Sequence, residues 1–160
     1  MWDDSKFMVQ SIDYGGQWVA PFGLHGEKQF NCAVIGVFAG TTVHERRELW
    51  DDLLILQAAF ATPMFIVGDF NESSHQYERN SGFLNAIGSA DFKCFISSCN
   101  LLEYSLGGHR YTRFHGSSMS RIDRAFATPY CHLKFSGLLL SRLPRGLSDH
   151  CPMILGRQCA

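Results

Sequence analysis

At 160 residues, 46% hydrophobic and 13% aromatic with 18% charged, the chain can bury one sizeable core, which excludes a mostly disordered protein and predicts a single domain over residues 1–160. The start, MWDDSKFMVQ, has neither a basic nor an apolar leader segment and no apolar run spans a bilayer, so a nuclear or cytoplasmic protein, not secreted and not in a membrane, is expected. The net charge of −1 hides an asymmetry: residues 1–100 carry six Lys/Arg against twelve Asp/Glu, and residues 101–160 carry eight against three.

In chain order, Lys6 to Ile12, Gln17 to His25 and Phe30 to Phe38 are rich in apolar, β-branched and aromatic residues and are separated by the turn formers YGG and HGEK, which predicts antiparallel strands. Thr42 with Glu45 makes a capping box, and Leu49, Leu53, Leu56 and Phe60 recur at helical spacing. A helix over Val43 to Phe60 follows, with Glu45, Arg46, Arg47, Glu48, Asp51 and Asp52 on its solvated side. After Pro63 a buried strand, Met64 to Val67, runs into Gly68, Asp69, Phe70 and Asn71, and Glu72 to Gly82 reads as a polar loop. Phe92, Phe95, Ile96 and Cys99 share one face of a second helix, about Ala90 to Cys99. GGHRYTRFHG and SSMSRIDRAFAT alternate around a Gly-Ser turn and predict a hairpin, with two more strands at Phe135 to Leu143 and Cys151 to Leu155. Strands outnumber helices and the helices lie between them, so a layered α/β or α+β fold is favoured. The six cysteines show no C-x-x-C pair and no zinc-finger spacing, and read as reduced core thiols.

Three strand ends carry residues that a buried sheet would not choose: GDFN after Val67, RID at Arg121 to Asp123, and SDH at Ser148 to His150. An ionised carboxylate beside a core must be paired, hydrogen-bonded or bound to a metal, because leaving it alone costs several kcal/mol. Each stretch also has a local reading: an Asx turn at Asp69, a hairpin ion pair of Asp123 with Arg121 or Arg124, and a turn capped by Ser148. If the strand ends converge, Asp69, Asn71, Asp123, Asp149 and His150 supply ligands for a hard divalent cation and a proton-transfer group.

In order, HERRELWDDL, VGDFNE, the YER of Tyr77 to Arg79, YTRFHGSSMSRIDRAF and LSDHCPMIL resemble the endonuclease domain of plant LINE-type (non-LTR) retrotransposons, of the endonuclease/exonuclease/phosphatase superfamily. The resemblance runs from about Trp2 to Leu155. It implies a DNase I-like four-layer α/β sandwich, two packed and mostly antiparallel sheets with outer helices, and a Mg²⁺- or Mn²⁺-dependent hydrolase that nicks DNA. It also implies roles: Asp69 beside the attacking water, Asn71 on the scissile phosphate, Asp149 on the metal, His150 on the phosphate, and Asp123 orienting that imidazole. Arg110, Arg113, Arg121 and Arg124 lie in the segment whose loops approach DNA in the family, and no obligate protein partner is expected.

Some family features are not matched. An Asn motif and a metal-binding Glu motif that open the family domain have no counterpart, so the chain is expected to be its C-terminal two-thirds, lacking the first strands and impaired as an enzyme. Phe38 in GVFAG stands where the family has a tyrosine whose hydroxyl assists at the phosphate, and Arg113 stands where a tryptophan is usual. The other reading is a non-catalytic remnant that keeps the fold and binds nucleic acid through its arginines.

Overall fold

Three antiparallel strands come first in the computed structural model, which describes residues 3–157: β1 over Phe7–Tyr14, β2 over Trp18–His25 and β3 over Phe30–Phe38. Trp2 and Cys159 lie outside the described residues. β1 continues past Ile12 because Asp13 and Tyr14 still pair with Ala20 and Val19. Helix α1 occupies Val43–Phe60. Its capping box is formed: Thr42 Oγ1 accepts from the Glu45 amide at 3.2 Å, and Glu45 Oε2 accepts from the Thr42 amide at 2.9 Å. α1 buries Leu49, Trp50, Leu53 and Leu56 and also Arg46, which the charge pattern had assigned to solvent.

β4 (Met64–Asp69) runs parallel to β3, as the α1 crossover between them requires. The polar loop expected after it is partly buried, with Glu72, Ser73, Ser74 and Glu78 inside around a 3-10 turn at Gln76–Glu78. α2 spans Ala86–Ser98 and starts ahead of its apolar face because Asn85 Oδ1 accepts from the Gly88 amide at 2.9 Å. Two short strands, β5 (Leu102–Glu103) and β6 (Leu106–Gly107), precede the hairpin of β7 (Arg113–His115) and β8 (Ser118–Ser120). β9 (Asp123–Ala127) then leaves the hairpin for the large sheet. An unexpected short helix, α3 (Pro129–Lys134), has proline in its first turn and is too short for a readable period. β10 (Leu138–Arg142) and β11 (Met153–Arg157) are the last described strands.

The large sheet has the order β1-β2-β3-β4-β9-β5, and a second sheet has the order β11-β10-β6. Alternation along β3 divides the core in two: Ala33, Ile35 and Val37 face α1 and α2, while Cys32 and Val34 face the second sheet with Phe65, Tyr104, Ala125 and Leu140. The molecule is therefore the layered α/β sandwich expected, two packed sheets with helices outside. The second sheet covers only part of the inner face, and Ile12, Tyr14, Val19 and Phe38, aligned there by register, are 45% to 77% exposed.

Gly68 fixes how closely β4 can approach β3. Its φ is +136°, and a Cβ placed on it would lie 2.1 Å from the Val37 carbonyl oxygen. Gly68→Ala is expected to cost roughly 2 to 3 kcal/mol in a urea melt, since neither that backbone contact nor the φ can relax cheaply.

Candidate active site at the end of the large sheet

β4 and β9 are antiparallel neighbours, and their register sets Asp69 directly opposite Asp123 on the face turned towards the second sheet. Both residues are 9% exposed. Like charges placed opposite each other on one face destabilise a sheet, so the arrangement calls for a compensating positive group. His150 meets one of the two carboxylates: its Nδ1 lies 3.0 and 3.1 Å from the two Asp123 oxygens. With Nδ1 donating to Asp123, Nε2 faces the opening, 3.8 Å from Asp69 Oδ2 and 4.0 Å from Asp149 Oδ1. One ligand atom from each of Asp69, Asp123 and His150 lies within 4.8 Å of the others, a spacing that suits a single cation.

Asp69 Oδ1 accepts from the Asn71 amide at 2.8 Å, so the Asx turn and the cluster coexist. Asn71 itself has φ +47°, a left-handed conformation that asparagine tolerates, and its Nδ2 donates to the Ala39 carbonyl at 3.3 Å. Phe38 pairs with Asp69 across β3 and β4 and is 74% exposed at the mouth. Burial pushes the Asp69 carboxyl above its ordinary range and the Asp123 charge adds to this, while the Asn71 amide, His150 and Arg113 pull it down. Two opposed carboxylates at one opening are oxygen ligands of the kind that fit a hard divalent ion.

Asp149 sits apart from that triad. Its Oδ2 accepts from Arg113 Nε at 2.9 Å and lies 3.6 Å from His115 Nδ1, which turns the expected metal ligand towards the hairpin. The Arg113 hydrogen bond holds its carboxyl below the usual carboxylate range.

The remaining arginines are placed differently from one another. Arg124 is withdrawn from any DNA-facing role: its side chain is fully buried and forms ion pairs with Glu78 and Glu103. Arg121, 19% exposed in its side chain, also pairs with Glu103, at 2.7 Å. Neither arginine pairs with Asp123: Arg124, its neighbour in β9, points to the opposite face of the sheet, and Arg121, ahead of the strand, is taken by Glu103. Arg110 is exposed and Arg113 half exposed.

Thr112 is a positioning residue that sequence reasoning passed over, although it stands inside the YTR motif. It is fully buried, and its hydroxyl accepts from the amides of Ile122 and Asp123 at 3.2 and 3.1 Å. Its carbonyl accepts from the Cys151 amide at 2.8 Å, and the Phe114 amide donates to the Asp149 carbonyl at 2.7 Å. One short segment therefore ties the start of β9 to the loop carrying His150. Arg46 and Glu72 make a similar tie elsewhere: their buried pair at 2.9 Å, with Arg46 also donating to the Gly40 and Thr41 carbonyls, anchors the loop just beyond Asn71.

Solved structures share this architecture. The 3′ phosphatase NExo from Neisseria, bound to product DNA hairpin, aligns with a TM-score of 0.71 at 13% identity, covering 96% of this chain and 72% of that one. The endonuclease domain of TRAS1, a telomere-specific non-LTR retrotransposon, aligns with a TM-score of 0.67 at 13% identity, covering 92% and 67%. Beta toxin of Staphylococcus aureus aligns with a TM-score of 0.62 at 15% identity over 89% of this chain, which spans 57% of the toxin's length. At such identities the likeness shows the fold alone. No curated protein matches the sequence. Among the described residues, no helix is long and apolar enough to cross a membrane. The sequence pattern of the Endonuclease/Exonuclease/phosphatase family matches residues 19–150, which include every member of the cluster, and the chain belongs to that family.

Proposed function

We propose that the chain is a divalent-metal-dependent phosphodiester hydrolase acting on DNA, of the retrotransposon endonuclease type, with low activity on its own. The observation that carries the reading is the convergence of Asp69, Asp123 and His150 from β4, β9 and the loop before β11 onto one cation-sized opening. Asp69, Asp123 and Asp149 are the residues that would help hold Mg²⁺ or Mn²⁺, and the ion supplies neutralisation of charge growing on phosphate oxygens. Asp69, whose carboxyl burial raises above its ordinary range, orients the attacking water and takes its proton. His150 Nε2 reaches the phosphate oxygens while Asp123 holds the ring by Nδ1. Asn71, whose backbone is fixed by the turn at Asp69, holds the scissile phosphate through its side-chain amide. Of Arg110, Arg113, Arg121 and Arg124, the first two keep exposed surface to meet DNA phosphates.

Three features support low activity. Phe38 brings no hydroxyl to the mouth, the Asp149 carboxylate is already paired, and the inner face of the large sheet is partly uncovered. The same Asp149 pair favours a second reading, a non-catalytic nucleic-acid binder. Incubation of supercoiled plasmid with the purified protein and Mg²⁺ is expected to yield slow nicking that chelator stops and His150→Ala abolishes. Nicking that survives chelator or His150→Ala sinks the hydrolase reading, and robust nicking sinks the claim of low activity. DNA binding in chelator without cleavage in Mg²⁺ selects the second reading.

A further inference from the structure

Arg113 opens β7, and the backbone on both sides of its contact with Asp149 is pinned. Arg113 and His150 form an isolated antiparallel bridge, and the Phe114 amide donates to the Asp149 carbonyl at 2.7 Å. The guanidinium thus meets Asp149 Oδ2 at 2.9 Å in a fixed geometry, with the side chains 36% and 37% exposed. Asp149 Oδ1 remains 4.0 Å from His150 Nε2, at the rim of the Asp69, Asp123 and His150 triad. Asp149, the carboxylate beside the triad, therefore already has a cation.

We infer that Arg113 is a built-in counter-ion that competes with a divalent cation for Asp149 and so sets the affinity of the site for metal. The inference rests on the metal reading proposed above and deepens it. Two effects act in the same direction. A carboxylate that must release a guanidinium in order to ligate loses that charge-assisted hydrogen bond, and the guanidinium repels a second cation arriving a few ångströms away. An uncharged side chain at position 113 removes both effects and frees Asp149 to join the triad. Because the pair is half exposed and the backbone ties do not involve the side chain, the fold does not depend on the guanidinium.

Calorimetric titration of Mn²⁺ into the purified chain tests this without recourse to cleavage. Arg113→Gln is expected to bind Mn²⁺ about tenfold more tightly than the wild type, and Arg113→Lys, which keeps the charge, to stay within about twofold of it. Adding Asp149→Asn to Arg113→Gln is expected to remove the gain. Arg113→Trp serves as an independent uncharged replacement, and thermal melts by circular dichroism confirm that each variant is folded. Folded Gln and Trp variants with wild-type or weaker affinity overturn the inference and leave the metal reading standing, as does a gain that survives Asp149→Asn. If wild type and all variants fail to bind Mn²⁺ at millimolar concentration, both fall.

Discussion

Asp69→Asn is expected to slow Mg²⁺-dependent nicking about 100- to 10,000-fold and to raise the thermal midpoint of the metal-free protein at neutral pH. The two effects have one cause. Asp69 is 9% exposed and stands opposite Asp123, and burial followed by that neighbouring charge pushes its carboxyl above the ordinary range. In the unfolded chain the same carboxyl ionises near pH 4. As pH rises from there, the unfolded state loses its proton first, so folding stability falls through the window up to the raised folded value and stays lower above it. Asparagine carries no such penalty. Its side-chain oxygen still accepts from the Asn71 amide, so the turn at 2.8 Å survives the change. The stability difference between variant and wild type is thus expected at pH 7 and absent below about pH 4, where both states of the wild type are protonated. Mg²⁺ is expected to raise the melting temperature of the wild type and to do little for the variant, because a ligand stabilises only the state that binds it. A variant that nicks at the wild-type rate, or one less stable than wild type at pH 7, contradicts this account of the cluster.

How much of this was legible beforehand depended on the range of each interaction. The bounds of α1 could be read because a capping box and an apolar stripe are local, and β3 and β4 because their apolar runs are long enough to declare themselves. β5 and β6 have two residues each, which is below any period. Arg46 departs from its local pattern for the same reason in reverse: a run of charges on a helix reads as solvated until its partner is known, and Glu72 lies 26 positions away. The site residues stood out as polar groups at the ends of GDFN, RID and SDH, while their separate roles came only through resemblance, and Asp69, Asp123 and His150 do meet in space. The state of Asp149 did not come through, since no spacing rule links position 113 to position 149. The same distance hid Glu78 and Glu103, which take the guanidinium groups of Arg124 and Arg121 from 46 and 18 positions away.

That hidden network carries the largest stability effect expected here: Glu78→Ala should cost about 3 to 5 kcal/mol in a urea melt at pH 7. Arg124 is fully buried beside the Phe92 ring, and Glu78 and Glu103 are the anions that meet its charge. Glu78 also accepts from the amides of Ser74 and His75 at 2.6 and 3.1 Å, so the alanine leaves a buried cation and two donors short of partners. Replacing both partners together, Glu78→Met with Arg124→Leu, should cost less than Glu78→Ala alone, because no uncompensated charge remains. Acid offers an independent check. Burial pushes the Glu78 carboxyl up, but the Arg124 guanidinium and the hydrogen bonds outweigh it and hold the group below its ordinary value. Its contribution is therefore present above the unfolded value near pH 4.3 and lost as pH falls through the lower folded one, so the gap between wild type and Glu78→Ala should narrow there. The effect should reach the site as well. The Glu78 carbonyl accepts from the Arg121 amide at 2.8 Å, and Arg124 follows Asp123 directly in β9, so loosening the pair frees the strand start that orients His150. A cost below about 1 kcal/mol for Glu78→Ala, or a double variant as damaging as the sum of its parts, would show that the buried charges are held by something other than each other.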